Sequence, residues 1–451
     1  MQNINLTEGN ITTSLLKLSL PIIGTNFIQT AYGMIDMIWI GRLGSDSVAA
    51  IGTASFFINL AMALSTLIVI GTGVKISHAI GAGKSDDAKV YIQNGIILST
   101  ILAILYMIFI FICRNGLIDF YDLPSNVSEM AVNYLVISAI GIIFMYLNSL
   151  LTTIFNSYGE SKMPFVANTI GFFFNIVLDP ILIFGIGPVK PLGVIGAAIA
   201  TLVARIVVFL IFIKTSNGRL SFLKSGIKLN YDKSVSVIKM GLPITAQRVI
   251  FTLISIAIAK IVSDFGSTAI AVQKVGVQIE SISYITIGGL QGAIAAFMGQ
   301  NFGAHKRDRI KDGYYESLKL TILFGTFITA IFLIFPKQIF GIFLSERDAL
   351  EMGSTYMRIL AFSQIFMCME LLTVGAFNGI GKTYVAPIIS IAFTALRIPM
   401  AIFLSNPSLF GLNGIWMSIS VSSLFKGVIL VTLFLVGLKK LNFRDRREAG
   451  I

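Results

Sequence analysis

Long apolar stretches, each broken off by a few polar or turn-forming residues, run the length of the chain. They fall at 14–40, 48–79, 90–113, 130–156, 163–188, 191–214, 237–262, 270–301, 316–336, 353–378, 384–405 and 411–438. Each run is continuous rather than alternating, which argues against the period-two pattern of a spanning β-barrel strand. A spanning helix needs about 20 apolar residues. The pattern therefore predicts an all-α, polytopic membrane protein of twelve transmembrane helices. Little chain is left over for a soluble domain.

Composition agrees with this reading. Of 451 residues, 55% are hydrophobic and 12% charged, with a mean hydropathy of +0.85. Soluble domains carry about 25% charged residues. The net charge of +12 does not point to nucleic acid, because the charges sit in loops between runs that water cannot solvate. Their distribution instead orients the chain. With both termini cytoplasmic, the loops and tail on that side hold 19 basic residues, including Lys84, Lys162, Arg219, Lys224, Lys228, Arg307, Lys382 and Arg444. The opposite side holds five: Arg42, Arg114, Lys190, Lys337 and Arg347. Excess Lys and Arg marks the cytoplasmic side, so the expected place is the cytoplasmic (inner) membrane with both termini inside. The polar stretch before the first run and the length of that run predict no cleavable signal. Two cysteines, Cys113 and Cys368, without a CxxC, and two histidines, His78 and His305, predict neither a disulfide framework nor a zinc site. No cofactor is expected.

The chain repeats itself. At an offset of 222 residues Leu20-Pro21-Ile22 meets Leu242-Pro243-Ile244, Gly44-Ser45 meets Gly266-Ser267, Gly81-Ala82 meets Gly303-Ala304, and Phe155-Asn156 meets Phe377-Asn378. A constant offset held across several loops is the signature of an internal repeat. Six helices per half start both halves on the same side of the membrane, as parallel repeats related by a pseudo-twofold axis along the membrane normal. The expected organisation is a six-helix lobe over 1–213, a cytoplasmic linker over 214–239 and a second six-helix lobe over 240–451.

Four acidic residues fall inside the apolar runs: Asp36, Asp179, Glu280 and Glu370. A carboxylate at the centre of a spanning helix costs about 2.5–3.5 kcal/mol on insertion scales, so such residues default to a functional reading. The bland alternative is a structural ion pair with Lys75, Arg248, Lys260, Lys274 or Arg397. Asn175 and Asp179 are four apart and so share a helix face. A carboxylate and an amide oxygen one turn apart are hard ligands suited to Na⁺. The same carboxylate, once desolvated, could instead carry a proton. Thr201 follows a run of small residues, Gly196 to Ala200, that permits close helix approach. Pro21, fifteen residues before Asp36, frees a backbone carbonyl and permits a bend in the first helix.

Pro21 and Asp36, the Gly81-Ala82-Gly83 turn, the Asn175-to-Pro180 stretch, the GAAIAT run at 196–201 and the GQNFGA run at 299–304 together resemble the multidrug and toxic compound extrusion (MATE) family. The likeness covers essentially the whole chain and is strongest to the prokaryotic branch that includes the DNA-damage-inducible type. It implies two six-helix lobes and antiport of drugs or organic cations against Na⁺ or H⁺. On that resemblance Asp36, Asn175, Asp179 and Thr201 match the first-lobe cation site, with Na⁺ held by Asp36, Asn175 and Asp179. Another bacterial branch carries a carboxylate on the seventh helix. Residues 239–262 hold none here, and Arg248 and Lys260 are present instead. Glu280 resembles an acidic position found in parts of the family. Glu280, Lys260 and Arg397 are the candidates for a second-lobe site.

The expected function is thus a cation-coupled multidrug antiporter, monomeric, with small-molecule drugs or organic cations and membrane lipids as partners and no nucleic acid. The rivals are a lipid-linked sugar flippase of the same superfamily and a membrane-embedded enzyme. Against the enzyme, no His/Asp/Glu cluster lies near a membrane edge. The orientation can be checked directly. In a background without Cys113 and Cys368, an impermeant thiol reagent added to intact cells is expected to label Ser345→Cys and to leave Ser225→Cys untouched; the reverse pattern would invert the topology.

Overall fold

The computed structural model describes residues 4–185, 190–216, 229–344 and 346–440. Among them are fourteen α-helices and no strand, and twelve spans are long and apolar enough to cross a membrane. The predicted all-α, twelve-span architecture is what is found. Helices α1 (Ile11–Gly41), α2 (Ser45–Gly81), α3 (Ser85–Asp119), α4 (Ser125–Ser157), α5 (Lys162–Phe184) and α6 (Val194–Thr215) form the first set. The second set is α7 (Tyr231–Ser263), α8 (Ser267–Gly303), α9 (Arg307–Ile334), the short α10 (Pro336–Phe340), α11 (Arg347–Gly379), α12 (Val385–Ala395), α13 (Arg397–Leu404) and α14 (Leu412–Lys439). The eleventh predicted run, 384–405, is a single span interrupted at Leu396.

The helices outrun the apolar windows that announced them. The run at 90–113 sits inside α3, whose 35 residues reach about 52 Å at 1.5 Å per residue, well past a hydrocarbon core of about 30 Å. Polar first and last turns carry the spans into the headgroup region, where a hydrophobicity window no longer sees them. The proposed 214–239 linker is covered in part: residues 217–228, and with them Arg219, Lys224, Ser225 and Lys228, lie outside the described residues, as do Ser345 and Arg444. Residues 231–239 belong to α7.

The chain forms two compact units, which divide the first helix of each repeat. Unit 1 comprises Met1–Ile4 and Leu20–Leu242; unit 2 comprises Asn5–Ser19 and Pro243–Ile451. Each boundary lies within two residues of a helix proline, Pro21 in α1 and Pro243 in α7. Both of these helices open on an asparagine N-cap. The side-chain oxygen of Asn10 accepts from the Thr13 amide at 2.9 Å, and that of Asn230 from the Lys233 amide at 3.0 Å.

Within each unit the start of the exchanged helix is clamped by side chains. In unit 2 the Asn301 amide donates to the carbonyl of Leu6 at 3.0 Å and to that of Phe297 at 2.8 Å. Arg309 donates to the carbonyls of Leu6, Glu8 and Gly9, and the Thr12 hydroxyl to Glu316. In unit 1 the Asn94 side-chain oxygen accepts from the Asn230 amide at 2.9 Å and from the Ser234 hydroxyl at 2.7 Å. Thr12 with Glu316 and Ser234 with Asn94 are the same pair of positions at the 222-residue offset. The repeat thus carries its clamp with it, with different polar groups doing the bonding.

Asn301 has no exposed surface. Removing it leaves the Leu6 carbonyl with Arg309 as its side-chain donor and loses one buried hydrogen bond, about 0.5–1.5 kcal/mol. Asn301→Ala is therefore expected to lower the thermal unfolding midpoint of the detergent-purified protein, whereas an unchanged midpoint would show that the clamp contributes nothing.

Candidate cation site

Three helices of unit 1 each bring two side chains, one turn apart, to the same place. α1 contributes Tyr32 and Asp36, α5 contributes Asn175 and Asp179, and α6 contributes Thr201 and Arg205. Residues four apart are neighbours on a helix surface. The close passage of α5 and α6 is set by a missing side chain: a Cβ on Gly196 would lie 2.4 Å from the Leu182 carbonyl oxygen. Pro180, inside α5, has no N–H to offer the carbonyl one turn back, which loosens the helix beside Asp179. Tyr32 packs against Phe172 of α5 with ring centroids 5.2 Å apart, closing the site with an aromatic wall.

Asn175 and Asp179 have no exposed surface, and Asp36 is half-buried. The Asn175 amide donates to the Oδ1 of Asp179 at 3.2 Å, and the Thr201 hydroxyl donates to the Oδ2 of Asp36 at 3.3 Å. Asp36 is also an electrostatic neighbour of Asp179. Neighbouring carboxylates repel while both are ionised, and a shared proton or a cation between them relieves that repulsion.

The leftover acceptors point the same way. Asp36 Oδ1, Asn175 Oδ1 and Asp179 Oδ2 are buried and, among the described residues, have no hydrogen-bond partner. Buried acceptors are normally satisfied. Two carboxylate oxygens and an amide oxygen, with the Thr201 hydroxyl beside them, form the hard oxygen set that a small monovalent cation takes. The residues present therefore fit Na⁺ and fit a shared proton equally. Among the described residues no three His, Cys, Asp or Glu side chains come together as metal ligands.

Unit 2 does not repeat this chemistry. At the 222-residue offset Asp36 becomes Ile258 and Asp179 becomes Ala401. Ile258 and Ala401 are 6% and 0% exposed and belong to one apolar cluster with Ile254, Val262 and Ile415. The fold gathers the equivalent positions, but gathers hydrocarbon. Arg397 stands where Asn175 does, and its guanidinium donates to the hydroxyls of Ser422 and Ser423. Glu280 accepts from the Tyr356 hydroxyl at 2.7 Å and has Arg397 as its electrostatic partner. Lys260, placed with these two in the sequence reading, is exposed in the last turn of α7 and is not brought to them. Glu370 pairs with Lys426 at 2.9 Å, both nearly inaccessible, and accepts from Ser390 at 2.9 Å. None of the cations weighed beforehand is that partner.

Half-buried Arg205 and buried Lys426 are basic groups that sequence reasoning passed over. A signal existed. Each is a basic residue inside the last apolar run of its half, one position out of register at the 222-residue offset.

Comparison with known proteins settles the family. The MatE family profile matches residues 21–181 and again 243–403, the same part of each half. The chain belongs to the MatE family. It is 23% identical over 430 residues to the probable multidrug resistance protein NorM of Thermotoga maritima, covering 95% of this chain and 93% of that one. It is 26% identical over 420 residues to the probable multidrug resistance protein YoeA of Bacillus subtilis, covering 91% and 90%. A MATE crystal structure in a bent conformation superposes with a TM-score of 0.89 at 22% identity, over 98% of this chain and 99% of that one. This MatE protein is thus a multi-pass membrane transporter and not an enzyme.

The two acids of unit 2 differ in what their loss would leave behind. Removing one partner of a buried ion pair costs about 3–5 kcal/mol. Glu370→Gln, which strands Lys426, is expected to lower the thermal unfolding midpoint far more than Glu280→Gln, which can keep the Tyr356 bond. Pairing Glu370→Gln with Lys426→Met should recover most of the loss. An equal drop for both single variants would refute the distinction.

Proposed function

We propose that this MatE protein is a cation-coupled multidrug antiporter of the cytoplasmic membrane, with both termini cytoplasmic, exporting organic cations and similar drugs by alternating access. The observation that carries the reading is the set of three buried, unpartnered oxygens on Asp36, Asn175 and Asp179. An apolar bundle tolerates such a set when a cation or proton completes it. The multidrug names of the NorM and YoeA relatives supply the substrate class. Na⁺ or H⁺ binds Asp36 and the Asn175–Asp179 face. Binding alters the packing or bend of α1 beyond Pro21. Because coupling between two sites is reciprocal, the bound ion weakens the hold on the drug, and exchange follows.

A lipid-linked sugar flippase is the second reading. It asks for free basic side chains to meet a phosphate, and the exposed Arg248 and Lys260 favour it. In unit 2 we assign Glu280 a part in transport and Glu370 a structural one, since Glu370 is already held by Lys426 and Ser390.

Purified protein in liposomes tests the proposal. A Na⁺ gradient and then a pH gradient is imposed, and uptake of a fluorescent organic cation is followed; the gradient that drives uptake names the ion. Asp36→Asn and Asp179→Asn are each expected to abolish driven uptake while inserting and folding normally, since a neutral side chain is cheaper to bury in lipid. The double variant should be little worse than either, because the two act as one unit. Glu280→Gln should remain folded while its transport falls. Full driven uptake by a folded Asp36→Asn protein would defeat the antiporter reading, and a wild type that moves no cationic drug but translocates a lipid-linked sugar would favour the flippase.

A further inference from the structure

The site holds a positive charge of its own. Arg205 lies one turn beyond Thr201 on α6, on the face that meets Asp36. Its guanidinium is seated on α4 at Gly141, where a Cβ would come within 3.1 Å of Nη1; the absence of a side chain there makes the seat. The Asn148 amide of the same helix donates to the Arg205 carbonyl at 2.9 Å and fixes the backbone. The electrostatic partners of Arg205 are Tyr134, Asp36 and Tyr32, and Asp36 is the carboxylate among them.

Unit 2 handles its buried cation differently. Lys426 is the counterpart of Ala204, the neighbour of Arg205, and is closed off in its own ion pair with Glu370 at 2.9 Å. Its charge is spent locally. Arg205 instead has Asp36 as its acidic neighbour, and Asp36 shares its site with Asp179, each with a carboxylate oxygen to spare. Guanidinium does not give up its proton in proteins, so this charge is permanent.

We propose that Arg205 is a resident counter-charge that reduces the Asp36–Asp179 pair to one net negative charge, so that the site takes a single monovalent cation, one Na⁺ or one H⁺, per cycle. Net charge in an apolar bundle is costly. Two ionised carboxylates against one guanidinium are neutralised by one added cation, and a second would leave the cluster positive. The inference rests on the cation-site reading above and gives it a stoichiometry.

Charge arithmetic provides the test, in liposomes with the fluorescent cation and whichever gradient drives the wild type. Asp179→Asn leaves a neutral cluster and is expected to lose driven uptake. Asp179→Asn combined with Arg205→Met restores one negative charge and should regain uptake to within about tenfold of wild type. Arg205→Lys keeps the charge and should transport. The gradient that just balances substrate accumulation should report one cation per substrate in the wild type. A folded double variant as inactive as Asp179→Asn, or a wild-type ratio of two cations, would overturn the counter-charge. Should Arg205→Met spoil folding in the double variant, the measured ratio still decides. Failure of the site itself reads differently: Asp36→Asn would then transport like wild type.

Discussion

Hydrocarbon offers no hydrogen bonds, so every polar group carried into a spanning helix has to be satisfied by the protein. Most of the polar chemistry of this chain can be understood as compliance with that constraint. Thr25, Thr30 and Thr53 donate back to carbonyls one turn earlier on their own helices. Glu370 is held by Lys426 and Ser390, and Arg397 donates to two serines. Against that background the loose oxygens of Asp36, Asn175 and Asp179 stand out because they are adjacent. Scattered unpartnered atoms are local imperfections, whereas three acceptors on neighbouring side chains make the candidate site on which the proposed function rests.

The repeat separates backbone from chemistry. The two family matches are equal in extent and 222 residues apart, 21 to 243 and 181 to 403. The packing at equivalent positions survives, since Ile258 and Ala401 share a cluster where Asp36 and Asp179 share a site. What changed is the side-chain content, to two apolar residues in unit 2. A bundle is tolerant of that exchange because volume and polarity are satisfied separately: hydrocarbon needs only filling, while a carboxylate needs a partner or an ion.

Several features of the site were readable in advance. Asp36 and Asp179 announced themselves as isolated acids in apolar runs, and Asn175 with Asp179 as a pair on one face. The approach of α5 and α6 was foreshadowed by Gly196. Glu370 was read as an intramembrane acid, but its partner was not found, because Lys426 lies 56 residues along the chain and helix periodicity carries no information over that distance. Arg205 escaped for a related reason. One basic residue near the end of an apolar run looks like a snorkelling anchor, and only its seat on Gly141 reveals that it turns inward.

The division follows from the range of the forces involved. The number of spans, their order, the repeat and the pairing of Asn175 with Asp179 depend on hydrophobicity and on the 3.6-residue turn, both local along the chain and so visible in a string of letters. The meeting of Thr201 with Asp36, 165 residues apart, and of Glu370 with Lys426, depends on which helices pack together and at what height. Those contacts are set by side chains from distant segments competing for the same space, and they exist only once the bundle has closed.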